Sequence, residues 1–408
     1  LVSSRGLGDV YKRQKEYLSN KINDLPASAT LTMAAKAREM KNEGIDIIGL
    51  SLGEPDFNIP EYIKDAAIDA INDNYNSYTP VDGYLDLKES ISNKFKRDNN
   101  LNYNANQIVV STGAKQSIAN AVQALVKPGE EVILLAPFWV SYSAIVLMAE
   151  GIPKIITSDI SSDFKVDAEE IEKAINDKTK MIIINSPNNP SGSIFNFEEL
   201  NKIASVLRKY PEIFVLSDEI YEHINYGVKH VSFASIAGMY ERTITVNGIA
   251  KAFAMTGWRI GYLGAPEWIA KACTKLQGQV TSGANCIAQK ATIKALTESP
   301  KKINYMIEEF RERRNMIIKL LSEIKGFKLN NPDGAFYVFP DISYYFGKKI
   351  TGKIINSASD FAMVILEKAH VATVTGDAFG CPKNIRISYA ASQENIKEAV
   401  NRIKNLLN

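Results

Sequence analysis

Apolar and polar positions change rhythm twice along this chain. Between about Gln107 and Gly264, short β-branched runs alternate with stretches of helical period. The runs are IVVS (108–111), EVILLA (131–136), KIIT (154–157), KMIIIN (180–185), IFVLSD (213–218) and RTITVN (242–247); the helical stretches include 114–126, 168–176 and 197–209. Strands alternating with helices predict βαβ units and a mostly parallel sheet, an α/β fold. The runs are apolar nearly throughout, so both faces of the sheet are expected to be covered. In such a sheet, polar residues at the C-terminal strand ends line the site. Asn185, Asp218 and Asn247 fall there.

From about Ser299 the texture differs. A long charged amphipathic stretch, roughly 301–325, leads into GAFYVFP (334–340) and NIRISYA (384–390), and a helical stretch over 393–407 ends the chain. This predicts a smaller α+β unit over 300–408 beside a large unit over 63–299, with the segment 15–62 packing against the small one. The opening LVSSRGLGDVYKRQ has no amphipathic period and no apolar signal-peptide core. Residues 1–14 are expected to be a non-native leader or a disordered arm outside the fold.

Composition narrows the function. The chain is 45% hydrophobic and 23% charged, enough for a large core, and its net charge of +2 comes without a long basic run. Neither nucleic acid nor an anionic membrane is an expected partner, and no apolar run nears the length of a membrane span. Cys273, Cys286 and Cys381 form neither a metal spacing nor a disulfide framework. They suit a reducing compartment, the cytoplasm, and no metal is expected. His223, His230 and His370 are equally scattered and read as structural or surface residues.

Against that background two charges stand out. NGIAKAFAMTGWRIGY (247–262) reads as buried chain, yet carries Lys251 and Arg259. A buried cation is costly unless it is paired, neutralised or hydrogen-bonded. Other polar oddities each have a plain alternative. SDEIYEH (217–223) puts Asp218 at a strand end and Tyr221 just after it, and Asp218 could be a helix N-cap. NSPNNPSG (185–192) could be only a turn. STGAKQS (111–117) opens a helix whose amides could cradle a phosphate, although the Walker order is absent. Trp139 in APFWVSY could be core, and Arg386 in NIRISYA could face solvent.

Taken together they fit one ligand. A helix N-terminus and Arg259 suit a phosphate. Asp218 suits a ring nitrogen that must stay protonated, Tyr221 and Asn189 a phenolic oxygen, and Trp139 a stacked ring. Lys251 can form an imine with an aldehyde. That ligand is pyridoxal 5′-phosphate, and Arg386 is left for a carboxylate.

The same segments resemble the class I, fold-type I aminotransferases. NGIAKAFAMTGWRIG matches the family's lysine signature, and SLGEPDF, SYTPVDGY, SPNNPSG, SDEIY and RISYA follow the family's order and spacing. The resemblance runs from about Lys15 to Asn408. It implies the pyridoxal-phosphate transferase fold, with a large domain and a smaller α+β domain. It implies Lys251 as the cofactor-linked lysine, Asp218 on the pyridine nitrogen, Tyr221 and Asn189 on the 3-oxygen, and Trp139 on the ring. The amides of Gly113, Ala114 and Lys115 would join Arg259 at the phosphate. Tyr78 would reach the phosphate of a neighbouring subunit, which makes the protein a homodimer with shared sites. Gly53 and Arg386 would grip the substrate α-carboxylate, close to Trp139 and Asn189.

Two departures from the family matter. A hydroxyl residue common three positions before the lysine is Gly248 here, so one phosphate contact is expected to be missing. Some relatives have His three residues after the stacking Trp; here it is Tyr142, and support for Asp218 is expected to come from elsewhere. LPASATLTM (25–33) and Lys115 resemble the aspartate-accepting branch, in which Ser28, Thr30 and Lys115 meet the distal carboxylate. Alternatively Ser28 only caps a helix and Lys115 faces solvent. The function implied is amino transfer between L-aspartate and 2-oxoglutarate. The rivals are an aminotransferase preferring aromatic amino acids or prephenate, a β-lyase on the same fold, and a cofactor-binding regulator. Retention of Arg386 argues against the regulator.

Overall fold

Seven β-rich segments assemble into one sheet: β1 (Ile108–Thr112), β2 (Glu131–Ala136), β3 (Ile152–Thr157), β4 (Thr179–Asn185), β5 (Phe214–Asp218), β6 (Thr243–Gly248) and β7 (Ile260–Gly264). The computed structural model describes residues 16–408, and the expectation for residues 1–14 lies outside them. Across the sheet the order is β1-β7-β6-β5-β4-β2-β3. Strands β2 to β6 pair in parallel, whereas β7 is antiparallel to both β1 and β6. The six runs read from the sequence are all strands. The seventh, IGYLG, does not read as such a run because its two glycines dilute the β-branched signature.

Neighbouring residues on one strand enter different cores. Val132 and Leu134 pack with Ile118 and Val122 of the helix Ala114–Leu125. Ile133 and Leu135 pack with Leu200 and Ile203 of the helix Phe197–Leu207. Both faces are therefore covered, which is why the strands read as unbroken apolar runs. The second of these helices starts with a capping box: the Asn196 side chain accepts from the Glu199 amide, and the Glu199 side chain accepts in return.

Most apolar residues beyond 300 gather in a further cluster, which also takes in Ile220, Tyr221 and Ile224 just after β5. The helices Asn304–Ser322 and Gln393–Leu407 cover a three-stranded antiparallel sheet made of Val374–Thr375, Ile385–Ser388 and Tyr337–Val338. Met33, Ala37 and Met40 of the helix Ala29–Asn42 lie in the same apolar cluster as Phe310, Ile317 and Ile396. Ile48–Gly49 pairs in parallel with Val371–Ala372, bringing the segment that follows (Ser51–Phe57) across the large sheet's C-terminal edge. Among the described residues, no helix is long and apolar enough to cross a membrane.

Candidate active site

The antiparallel setting of β7 builds the site. Because β7 runs against its neighbours, Ile260 pairs with Thr112 and Gly261 with Gly248, both at C-terminal strand ends. Arg259, one residue before β7, is thereby delivered to the same edge as Asn185 and Asp218. It turns the corner with a left-handed φ of 58°. Glycine is required where the backbones meet. A Cβ on Gly261 would lie 2.0 Å from the Ala114 nitrogen, and one on Gly113 would lie 2.2 Å from Nη2 of Arg259. The guanidinium therefore rests on the start of the helix Ala114–Leu125, whose first N–H groups have no partner within the helix. One expectation is corrected here. The Gly113 amide donates to the Ser111 carbonyl oxygen at 2.7 Å and is not free for an anion. Gly113 contributes space, and the Ala114 and Lys115 amides remain as donors.

A cavity of about 280 Å³ opens at this edge. Its walls bring together Lys251, Asp218, Tyr221, Asn189, Arg259 and Arg386, and also Gly53, Ala114, Lys115, Trp139, Ser28 and Thr30. Tyr78 lies away from it, with its side chain 98% exposed. Lys251 Nζ donates to the Gly53 carbonyl oxygen at 2.6 Å. Burial, and next the Arg386 charge, push its ammonium down to about 8. A half-buried lysine that gives up its proton this readily is a nucleophile or a base near neutral pH.

Asp218 is buried, and no helix follows it, so it is not an N-cap. Burial raises its carboxyl to about 6, while a hydrogen bond from the Tyr142 hydroxyl at 2.6 Å and one from the Ile220 amide at 3.3 Å work against that rise. This overturns the expectation drawn from Tyr142: the residue standing where some relatives have His is itself the donor to Asp218. A phenol at that position can reach the carboxylate as an imidazole would, a possibility that matching residue types alone hid. Asn185 fixes the neighbourhood, donating to the Asp218 carbonyl oxygen at 2.9 Å and accepting from the Asn189 amide at 2.8 Å. Behind the turn, Glu219 and Glu222 point away from the cavity into a buried cluster with His230, Lys94 and Asn99.

Arg386 is 2% exposed, not solvent-facing. Its Nη1 donates to Asn189 Oδ1 at 3.0 Å and its Nη2 to the Ser51 carbonyl oxygen at 2.5 Å. Its Nε, also buried, has no partner among the described residues. Lys115 stands with its ammonium 4.9 Å from the Trp139 ring, and burial, then Arg259, lower its proton affinity. It lines the cavity and is at the same time exposed to solvent. Ser28 both lines the cavity and caps the helix Ala29–Asn42, accepting from the Leu31 amide at 3.5 Å. Tyr337 joins the wall unannounced, its hydroxyl 2.7 Å from that of Tyr221. Its only signal in the sequence was a place in an apolar strand.

These features define a class. The family model Aminotransferase class I and II matches residues 45–403, and the chain belongs to that family. The aspartate/prephenate aminotransferase of Nitrosomonas europaea is 46% identical over 396 residues, covering 96% of this chain and 99% of that protein. Among solved structures, the aspartate aminotransferase from Rhizobium meliloti superposes with a TM-score of 0.93 at 42% identity, covering 96% of this chain and 98% of the other. That of Thermus thermophilus with maleate gives 0.90 at 38%, covering 96% and 99%. The chain is a pyridoxal-phosphate-dependent aminotransferase. Its cavity fits that cofactor group by group: an amine of lowered proton affinity, a buried carboxylate, phenolic and amide donors, an indole face, and a guanidinium resting on a helix start.

Proposed function

We propose that this chain transfers the amino group of L-aspartate to 2-oxoglutarate, giving oxaloacetate and L-glutamate. The observation that carries this reading is the pair of cations, Arg386 and Lys115, in one cavity with Lys251. A dicarboxylate needs two cations, and Arg259 is committed to the helix start.

When bound, pyridoxal 5′-phosphate supplies an aldehyde for the substrate amine and a protonated ring that spreads the charge left at Cα. Lys251 takes the Cα proton on Nζ and returns it, since an ammonium lowered to about 8 exchanges readily near neutral pH. Asp218 holds the ring nitrogen's proton, and Tyr142 keeps the carboxylate ionised. Tyr221 and the free amide group of Asn189 serve the 3-oxygen. Trp139 stacks on the ring. Arg259, with the Ala114 and Lys115 amides, holds the phosphate, joined by Tyr78 from a partner subunit. Arg386 and the Gly53 amide grip the α-carboxylate, and Lys115, Ser28 and Thr30 meet the distal one. The organisation we propose is a large cofactor domain over 63–299 and a small domain over 300–408 that takes in 15–62. The three free cysteines support a reducing, cytoplasmic setting.

A second acceptor, prephenate, is supported by the name of the Nitrosomonas europaea relative. Prephenate also carries a second carboxylate, which Lys115 can meet. Lys115→Ala tests the dicarboxylate reading. A charge-assisted hydrogen bond contributes about 1.5–3 kcal/mol, so kcat/KM for aspartate should fall by roughly ten- to a hundredfold. Phenylalanine should be nearly unaffected and cofactor affinity unchanged. An equal loss for both donors with weaker cofactor binding would place Lys115 at the phosphate instead.

A further inference from the structure

Tyr337 is fully buried, and its place follows from register. It pairs with Ser388, so Arg386, two residues before Ser388, is its diagonal neighbour on the same face. The guanidinium carbon lies 4.7 Å from the Tyr337 ring. The hydroxyl is enclosed between the Tyr221 hydroxyl, 2.7 Å away, and Gly53, where an added Cβ would lie 2.0 Å from it.

Each phenol has one proton to donate and lone pairs to accept with. If Tyr221 gives its proton to the cofactor's 3-oxygen, the bond between the two tyrosines must run from Tyr337 to Tyr221. The surroundings favour that direction. Burial raises both hydroxyls, but for Tyr337 the next influence is the Arg386 charge, which draws it back towards acidity. For Tyr221 the same Arg386 charge comes only after its contacts with Tyr337. The more acidic phenol is the better donor.

We propose that Tyr337 is a positioning residue for the reaction: its hydroxyl donates to Tyr221 and so commits the Tyr221 proton to the cofactor's 3-oxygen. A chain of hydrogen bonds also polarises each member, which strengthens the terminal bond. The inference rests on the role proposed above for Tyr221. Tyr337→Phe keeps the ring over Arg386 and the room beneath Gly53, and removes only the donor.

The test is a pH titration of visible absorbance in the cofactor-loaded protein, for wild type, Tyr337→Phe, Tyr221→Phe and the double variant. A donor on the 3-oxygen keeps that oxygen ionised and weakens its hold on the proton it shares with the Lys251 nitrogen. Losing a donor therefore moves the midpoint up. Tyr337→Phe should raise it by roughly half a pH unit, the share of one neutral hydrogen bond. Tyr221→Phe should raise it further, and the double variant should match Tyr221→Phe. A shift with Tyr221→Phe but none with Tyr337→Phe overturns the role of Tyr337 alone, as do fully additive shifts in the double variant. No shift with Tyr221→Phe removes the assignment on which the inference stands.

Discussion

Asp218 is expensive for the fold, a cost that fits the ring-nitrogen role proposed for it. Its carboxyl is raised to about 6 from 3.8, chiefly by burial. An acid with a raised value is favoured protonated in the folded chain. Between about pH 4 and 6 the cofactor-free fold thus binds a proton that the unfolded chain has released, and this group's contribution to stability falls as pH rises through that window. Above it, the ionised carboxylate costs on the order of 3 kcal/mol, from the two-unit rise. Asp218→Asn should relieve that cost. The cofactor-free variant should be no less stable than wild type above pH 6 by urea denaturation, while its affinity for pyridoxal 5′-phosphate drops sharply. Loss of stability in the cofactor-free variant would make Asp218 a structural residue. The role proposed for it was legible because a carboxylate ending an apolar strand needs a partner. The Tyr142 donor was not, because the contact joins two segments 76 residues apart.

At the scale of elements, the sequence announced strands whose side chains are β-branched and concealed the one whose positions are fixed by close backbone approach. Gly261 and Gly248 face each other across β6 and β7, and the helix start lies against Gly261. Those contacts explain Gly248, which looked like a lost phosphate ligand. A Cβ there would lie 2.9 Å from the Ile260 carbonyl oxygen and 3.0 Å from Cα of Gly261. Gly248→Ser should therefore not restore a phosphate contact. It should destabilise the fold by about 1–3 kcal/mol, as overpacking does, and weaken cofactor binding by displacing Arg259. Tighter cofactor binding in that variant, measured by fluorescence titration, would refute this account of the β6–β7 junction. The small unit was legible in its helices: the stretch read over 393–407 is the helix Gln393–Leu407. GAFYVFP yielded only the two-residue strand Tyr337–Val338, because its other backbone groups bond outside a regular ladder: the Ala335 N–H donates to the Ile224 carbonyl oxygen and the Phe336 carbonyl oxygen accepts from Tyr389.

At the scale of the whole molecule, one residue assigned to a site stands outside the chain's own cavity. Tyr78 is 98% exposed, and Val280, Leu85 and Ile71 are also large apolar side chains left in water. Such residues fit a surface that a second copy would cover, with Tyr78 entering the partner's phosphate site. Mixing inactive Tyr78→Ala and Lys251→Ala proteins should restore activity, because one site of each mixed dimer then carries neither change. Verified subunit exchange without recovery would leave Tyr78 acting within its own chain or not at all. The central claim is tested most directly by supplying cofactor-loaded enzyme with L-aspartate and 2-oxoglutarate and measuring both products. Oxaloacetate and L-glutamate should appear one for one, and Lys251→Ala should form neither. Turnover of phenylalanine but not aspartate, or release of pyruvate without glutamate from a β-substituted amino acid, would contradict it.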